Sequence, residues 1–349
     1  MLSADSFATD WETLEAPNDT SVQVRRFELP GDDWAWHNLE NRQSLAAVAV
    51  ADAVRRARPT VIHDVGSFLF GEALRRVVVD ARRPLISHAL LLMGPYLQAM
   101  DVPSRYVQYF SGLQQVQFGV SSAVIVTSRS DAALYDRWFA PVRHLYLLPN
   151  PVDVLPFCAD TVLRWKSLLG ADHRTVLVAP NAGDRIKGLD RAIALKAALD
   201  RRRQGQETLL VTTGLRGSFN HSQEGVLHLG RLPADEYGSL LLAASAVLCP
   251  SRYEAFGMAA AEAALAGCTV LASATGGHLD TMPSLGGVLL ADEHWGSPTV
   301  GIRDAVLRSG RREPLPAAAV ATYRHHADWF FNLYEALHTP STLGAENSL

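Results

Sequence analysis

The chain is short of lysine, of cysteine and of long apolar runs, and each shortage closes a class of function. Three of its 32 basic residues are lysines (Lys166, Lys187 and Lys196), so a lysine retained inside a motif stands out against a background of arginine. Cys158, Cys249 and Cys268 are odd in number and have neither CxxC nor metal-ligand spacing, which argues against a disulfide framework or a zinc site. They are expected to be buried thiols in a reducing compartment. No excess of positive charge offers a footprint for nucleic acid: 36 acidic residues against 32 basic ones give a net charge of −4. No apolar run reaches the roughly 18 residues of a membrane span. Met1 to Glu15 lacks the basic and apolar regions of a signal peptide, so a cytoplasmic location is expected.

What is present is alternation. With 349 residues, 48% of them hydrophobic, the chain has material for two packed units of ordinary size. After a polar lead-in of about twenty residues, the patterns predict strands at Val22–Leu29, Thr60–Val65, Pro84–Ala89, Ala123–Ser128 and His144–Pro149. Helices are predicted at Leu39–Arg58, Phe68–Arg82, Gln108–Phe118 and Asp131–Phe139. Pro149-Asn150-Pro151 breaks this pattern, which restarts with strands at Thr175–Ala179, Thr208–Thr213, Val226–Leu229, Ala246–Pro250, Thr269–Ser273 and Gly287–Ala291. Helices at Asp160–Leu169, Leu189–Arg202, Ala234–Ala244, Gly257–Leu265, Thr299–Arg308 and Ala317–Leu337 complete it. The fold class expected is α/β: two Rossmann-like units, residues 1–150 and 151–316, facing a cleft beyond the carboxyl ends of their strands.

Chemistry concentrates in Ala246–Asp280. A buried strand ends at Pro250, a short loop carries Glu254, and a helix begins near Phe256–Gly257. Gly257 permits close backbone approach. The free N–H groups at the helix start suit a diphosphate. Eight positions separate Glu254 from Glu262, about 12 Å of helical rise. That spacing fits two hydroxyl-rich rings on either side of a diphosphate. Read singly, Glu254 is equally an N-terminal capping carboxylate and Glu262 a solvent-facing one.

The run Pro250-Ser251-Arg252-Tyr253-Glu254-Ala255-Phe256-Gly257, followed by Glu262, Gly267 and Ala274-Thr275-Gly276-Gly277, resembles the signature of glycosyltransferase family 4, which has the GT-B fold. Further matches fall in the family's order. Leu148 to Asp153 resembles its interdomain PNGVD segment, with Pro151 where glycine is usual, and Lys187-Gly188-Leu189-Asp190 resembles its KG-x-D. Leu229-Gly230-Arg231-Leu232 resembles the turn beside the nucleobase, and Thr60–His63 and Pro84–His88 resemble N-terminal strands.

The resemblance implies a retaining transferase that takes a sugar from a nucleoside diphosphate donor, UDP-sugar ahead of GDP-sugar, with no metal and no other cofactor. By its pattern Glu254 contacts the sugar, Glu262 the ribose, and Phe256 and Gly257 the sugar and phosphate. Gly230, Arg231 and Leu232 border the base, and Gly276 and Gly277 bring backbone to the nucleotide; a tight turn is the plain alternative for that glycine pair. Lys187 stabilises the leaving phosphate. The family's arginine partner is missing, since Ala182 holds its place, and Arg185 is the substitute, or else a solvated charge beside Asp184. His88 matches the histidine that approaches the donor sugar, with a structural histidine as the alternative; His63 reads as structural. Trp329 and Tyr334 resemble the end of a C-terminal helix, 317–340, that packs back on the first domain.

The family's opening strand, glycine-rich loop and helix are not found, so the first βα unit reads as absent. Acceptor recognition is therefore open: a small molecule or an envelope precursor of bacterial metabolism. Leu90–Met93 and Tyr96 are candidates to border it, or core residues. Arg75, Arg76, Arg82 and Arg83 suggest a peripheral membrane face, or are simply solvated. A catalytically silent subunit that binds a nucleotide sugar or partners an active enzyme is the second reading, and an epimerase or phosphorylase the third.

Overall fold

In the computed structural model, residues 12–16, 20–24, 39–66, 71–180, 185–201, 207–214, 224–307, 315 and 323–338 are described. Two parallel sheets dominate them. The first half runs α1 (Leu39–Ala57), β3 (Ile62–Val65), α2 (Gly71–Ala81), β4 (Leu85–Ala89), α3 (Met93–Ala99), α4 (Ser104–Gly119), β5 (Ala123–Val126), α5 (Arg129–Trp138) and β6 (Leu145–Leu147). Its four strands lie in sequence order. Every residue of β4 and β5 is buried, as strands covered on both faces must be.

The second half follows with α6 (Ala159–Leu169), β7 (Thr175–Ala179), α7 (Leu189–Asp200), β8 (Thr208–Thr212), β9 (Val226–His228), α8 (Ala234–Ala243) and β10 (Ala246–Cys249). After it come α9 (Met258–Leu265), β11 (Val270–Ser273), α10 (Gly277–Leu285), β12 (Val288–Leu290), α11 (Asp292–Gly296), α12 (Val300–Leu307) and α13 (Tyr323–His338). Its six-stranded sheet has the order β12-β11-β10-β7-β8-β9. α13 returns to the first sheet: Leu333 is buried with Ile86, Ala123, Ile125 and Leu148, and Trp329, Phe330 and Tyr334 pack beside them. Among the described residues no helix is long and apolar enough to cross a membrane.

The departures from expectation have local causes. Of the strand expected at Val22–Leu29, residues 25–29 lie outside the described residues, and the rest belongs to β2 (Thr20–Val24), which pairs antiparallel with β1 (Glu12–Ala16) from the stretch expected to be a loose lead-in. In Glu12–Ala16 only Leu14 and Ala16 alternate with polar residues, too short a run to mark a strand. α3 was hidden by Gly94-Pro95, yet proline is tolerated in a first turn, where the N–H has no helical partner. α10 was hidden by its glycine pair and by Pro283 within it. α11, at five residues, is too short to show a period. The last helix begins at Tyr323, and residues 317–322 of the expected span lie outside the described residues. The thiols also differ: Cys249 is buried and Cys268 partly so, but Cys158 is exposed.

Candidate active site

The strand order of the larger sheet reverses beside β7. The chain runs from β7 to β8 and β9 on one side, then crosses to lay β10 on the other. Such a switch point opens a crevice beyond the carboxyl ends of the two strands. The segment after β7 leads into a single 3-10 turn, Arg185–Lys187, and the segment after β10 carries Pro250 to Gly257.

These segments are tied to each other. The Arg252 N–H donates to the Ile186 carbonyl at 2.8 Å. The Arg252 guanidinium donates to the Arg185 carbonyl at 2.8 Å and to both carboxylate oxygens of Asp190, at 2.9 and 2.5 Å. On that frame the Lys187 ammonium donates to Glu254 Oε2 at 2.9 Å, and the Ser251 hydroxyl donates to the same oxygen at 3.1 Å. Burial opposes the charge on Glu254, but Lys187, His278 and the two hydrogen bonds outweigh it and hold the carboxyl below its ordinary range. Burial likewise opposes the charge on Lys187, and Glu254 reverses that effect, so the ammonium is held above its ordinary value.

The pair lines a cavity of about 120 Å³ with Pro180, Cys249, Gly257, Met258 and His278. Gly257 caps α9 at φ +97°, and a Cβ there would lie 2.5 Å from the His278 ring. That ring is buried, and its Nδ1 lies 3.2 Å from the Ser273 carbonyl, an acceptor, so Nδ1 carries the proton. Burial lowers its pKa, which leaves a neutral ring on the cavity wall beside Glu254.

Gly276 and Gly277 are glycines because of the glutamate loop. At Gly276, φ is +49° and a Cβ would sit 1.9 Å from the Glu254 carbonyl oxygen; at Gly277 it would sit 2.4 Å from that of Ala255. The Gly277 N–H donates to the Glu254 carbonyl at 2.7 Å. Both glycines therefore set the position of Glu254 by backbone contact. Phe256 is buried in the same loop, in the core of the larger sheet.

The other candidate residues are spread more widely. Glu262 is half-buried on α9, and burial, then Asp153, raises its carboxyl pKa. Gly230, Arg231 and Leu232 follow the edge strand β9. Leu232 packs against the core of the larger sheet and Arg231 is exposed. Arg185 shares the turn of Lys187 but is half-exposed and ion-paired with Asp101, from the end of α3. Residues 181–184, where the family's arginine would fall, lie outside the described residues.

His88 is placed elsewhere. It faces α13, its ring stacked 5.9 Å from His63 and tilted against Phe330 at 5.9 Å. His63 Nδ1 in turn lies 2.7 Å from the Tyr334 hydroxyl. Burial, then the charges of His63 and His326, push the His88 pKa down to about 4. The unfolded chain therefore takes up the proton first, near the ordinary 6.5. Stability is present above that value and is lost as pH falls from 6.5 towards 4, by up to about 3 kcal/mol. His88→Leu is expected to flatten the fall in Tm over this window, measured by thermal denaturation. An unchanged slope contradicts the assignment.

Three features escaped the sequence reading: His278 at the cavity wall, the Arg252–Asp190 fork, and Tyr253, which binds across to the first sheet. His278 directly follows the glycine pair, and that adjacency was the available signal. The other two depend on contacts between distant segments and leave no local pattern.

Residues 161–313 match the glycosyl transferases group 1 family. No curated protein matches the chain. Among solved structures it is similar to sucrose-phosphate synthase from Thermosynechococcus elongatus, at 20% identity over 95% of this chain and 87% of that one, with a TM-score of 0.74. It is similar also to Anabaena HepE in complex with UDP-glucose (15% identity, 83% and 82% covered, TM-score 0.66). A third likeness is WaaG, a glycosyltransferase involved in lipopolysaccharide biosynthesis (18% identity, 91% and 86% covered, TM-score 0.59). Residues 161–313 thus match the group 1 glycosyl transferases, and the chain has the GT-B architecture of these structures.

Proposed function

We propose that the chain transfers a sugar from a nucleoside diphosphate sugar, UDP-sugar ahead of GDP-sugar, to a hydroxyl acceptor with retention at the anomeric carbon. The observation that carries this reading is the Lys187–Glu254 pair at 2.9 Å, set in a cavity at the start of α9. A donor diphosphate placed at that helix start meets unpaired N–H groups and the Lys187 ammonium. Glu254 then accepts from sugar hydroxyls, and Glu262 from the ribose diol. The likeness to HepE, whose structure holds UDP-glucose, supports the choice of nucleotide.

The bond from the anomeric carbon to the phosphate oxygen breaks as the bond to the acceptor oxygen forms on the same face. The leaving phosphate oxygen takes the acceptor's proton. Lys187 stabilises the charge that develops on the β-phosphate, and the protein's work is positioning and electrostatics. No metal or other cofactor is invoked in these steps. The acceptor is a small molecule or an envelope precursor.

A second reading is a silent subunit that binds the nucleotide sugar without turnover. It is favoured by Arg185, which Asp101 engages instead of the cavity. Incubating the purified chain with UDP-, GDP- and ADP-sugars separates the two. Slow release of free sugar, with the donor's anomeric configuration in the first-formed product by NMR, is expected. Binding without any release supports the silent subunit, and an inverted product rules out retention.

A further inference from the structure

The interface between the two sheets contains a carboxyl group that the proposed chemistry does not use. Asp131 lies in the first turn of α5, its N–H donating to the Ser128 cap at 3.0 Å. The residue is wholly buried, and its Oδ1 accepts from the Tyr253 hydroxyl at 3.0 Å. Its Oδ2 has no hydrogen-bond partner among the described residues. Tyr253 is the neighbour of Glu254, and its hydroxyl accepts the Leu92 N–H at 3.1 Å. Ile186, one residue before Lys187, is buried with Tyr253 and Ala255, and Leu91, Tyr96, Ala99, Met100 and Leu134 pack against them. Both halves of the Lys187–Glu254 pair are thus supported from the first half of the chain, by α3, α5 and the loop after β4.

We infer that Asp131 is a positioning residue, which holds the glutamate loop closed against the first sheet through Tyr253 as long as its own carboxyl group is neutral. An ionised carboxylate there would be an anion without water, one oxygen unpaired, close to two other anions. The groups that face it are Tyr253 and Glu254 from the loop and Asp280 from α10, which itself accepts the Ser130 N–H at 3.1 Å. α10 also carries His278, while β5 and β6 beneath α5 have no charged residue. Burial, then Glu254 and Asp280, against the opposing Tyr253 hydrogen bond, raises the Asp131 pKa to about 7.

The sign follows from proton binding. Between the ordinary carboxyl value and about 7 the closed form holds a proton that an opened, hydrated Asp131 releases. Raising the pH therefore favours opening, and above about 7 no further change occurs. With an ordinary value in the opened form, the closed-to-open ratio falls about tenfold between pH 6 and pH 8.

Hydrogen exchange of the Leu92 amide, whose bond to Tyr253 reports the latch, tests this in the full-length chain without any ligand. After correction for intrinsic exchange, wild-type protection is expected to fall about tenfold from pH 6 to pH 8. Asp131→Asn, a neutral isostere, should show high protection at both pH values, and Asp131→Ala low protection at both. Should the alanine variant fail to fold, Tyr253→Phe, which removes the bridging hydroxyl, is expected to show the same low protection. Identical pH dependence in wild type and Asp131→Asn overturns the inference, as does full protection in Tyr253→Phe. The KM for UDP-glucose should follow the same pattern, rising with pH in wild type and flat in Asp131→Asn. Failure of that arm alone counts against the donor reading and leaves the latch standing.

Discussion

Replacing Lys187 with alanine is expected to lower kcat/KM for sugar transfer by about two to three orders of magnitude, mostly in kcat. A single preorganised charge facing an oxygen that becomes negative in the transition state is worth roughly that much. Lys187 is preorganised by what surrounds it: Gly188 and the Arg252 bonds fix its turn, and Glu254 fixes its ammonium. The substitution also strands Glu254, whose side chain is 18% exposed, without its cation. Removing one partner of a largely buried pair is destabilising in its own right. The two effects separate in a double variant. Lys187→Ala with Glu254→Gln should recover most of the Tm lost by Lys187→Ala and none of the activity, because the neutral amide needs no counter-ion and stabilises no phosphate. Steady-state kinetics beside thermal denaturation reads both. Near-normal kcat in Lys187→Ala would remove the lysine from the reaction.

Gly276→Ala is the second large expectation. The new methyl group would meet the Glu254 carbonyl oxygen at 1.9 Å, with φ at +49°, so either α10 or the glutamate loop must move. Neither moves freely, since the Gly277 N–H bond to the same carbonyl and the buried Phe256 hold them together. A loss on the order of 2–4 kcal/mol is expected, with a raised donor KM in whatever remains folded. Gly230→Ala is the matched control. Its φ is also positive, at +71°, but nothing lies within 4 Å of the added atom. It should cost only about 1 kcal/mol of backbone strain. If the two variants lose the same stability, contact with the Glu254 backbone is not the reason for glycine at 276.

Where the sequence was legible, a single physical signal dominated. Thr175–Ala179 is a strand with the predicted bounds because a short run of β-branched and apolar residues, buried throughout, leaves no alternative. α1 and α6 end within a residue of expectation because their apolar periodicity is sustained and, for α6, Gly170 in the left-handed conformation stops the helix. Lys187 and Glu254 were legible as separate residues in separate motifs. Their contact was not, because it depends on the crossing from β9 to β10 that brings the two segments to one switch point.

His88 marks the limit of motif reading. Its strand and position at a carboxyl end were as expected, yet alternation along β4 turns it to the face that carries Ile86, under α13. The strand period tells which residues share a face, not what covers that face. Asp131 and Tyr253 were invisible for a related reason. A buried acid and a buried phenol on segments 122 positions apart have no periodicity in common.

In the proposed function, α9 and the loop before it hold a nucleoside diphosphate sugar. Calorimetric titration of the wild-type chain and of Glu262→Gln with UDP and UDP-glucose tests it most directly. Saturable one-to-one binding of both ligands to wild type is expected. A loss of about tenfold or more is expected for both in Glu262→Gln, because the ribose that they share loses a charged acceptor. Binding of UDP and UDP-glucose that is unchanged by Glu262→Gln, or no binding to wild type, would contradict it.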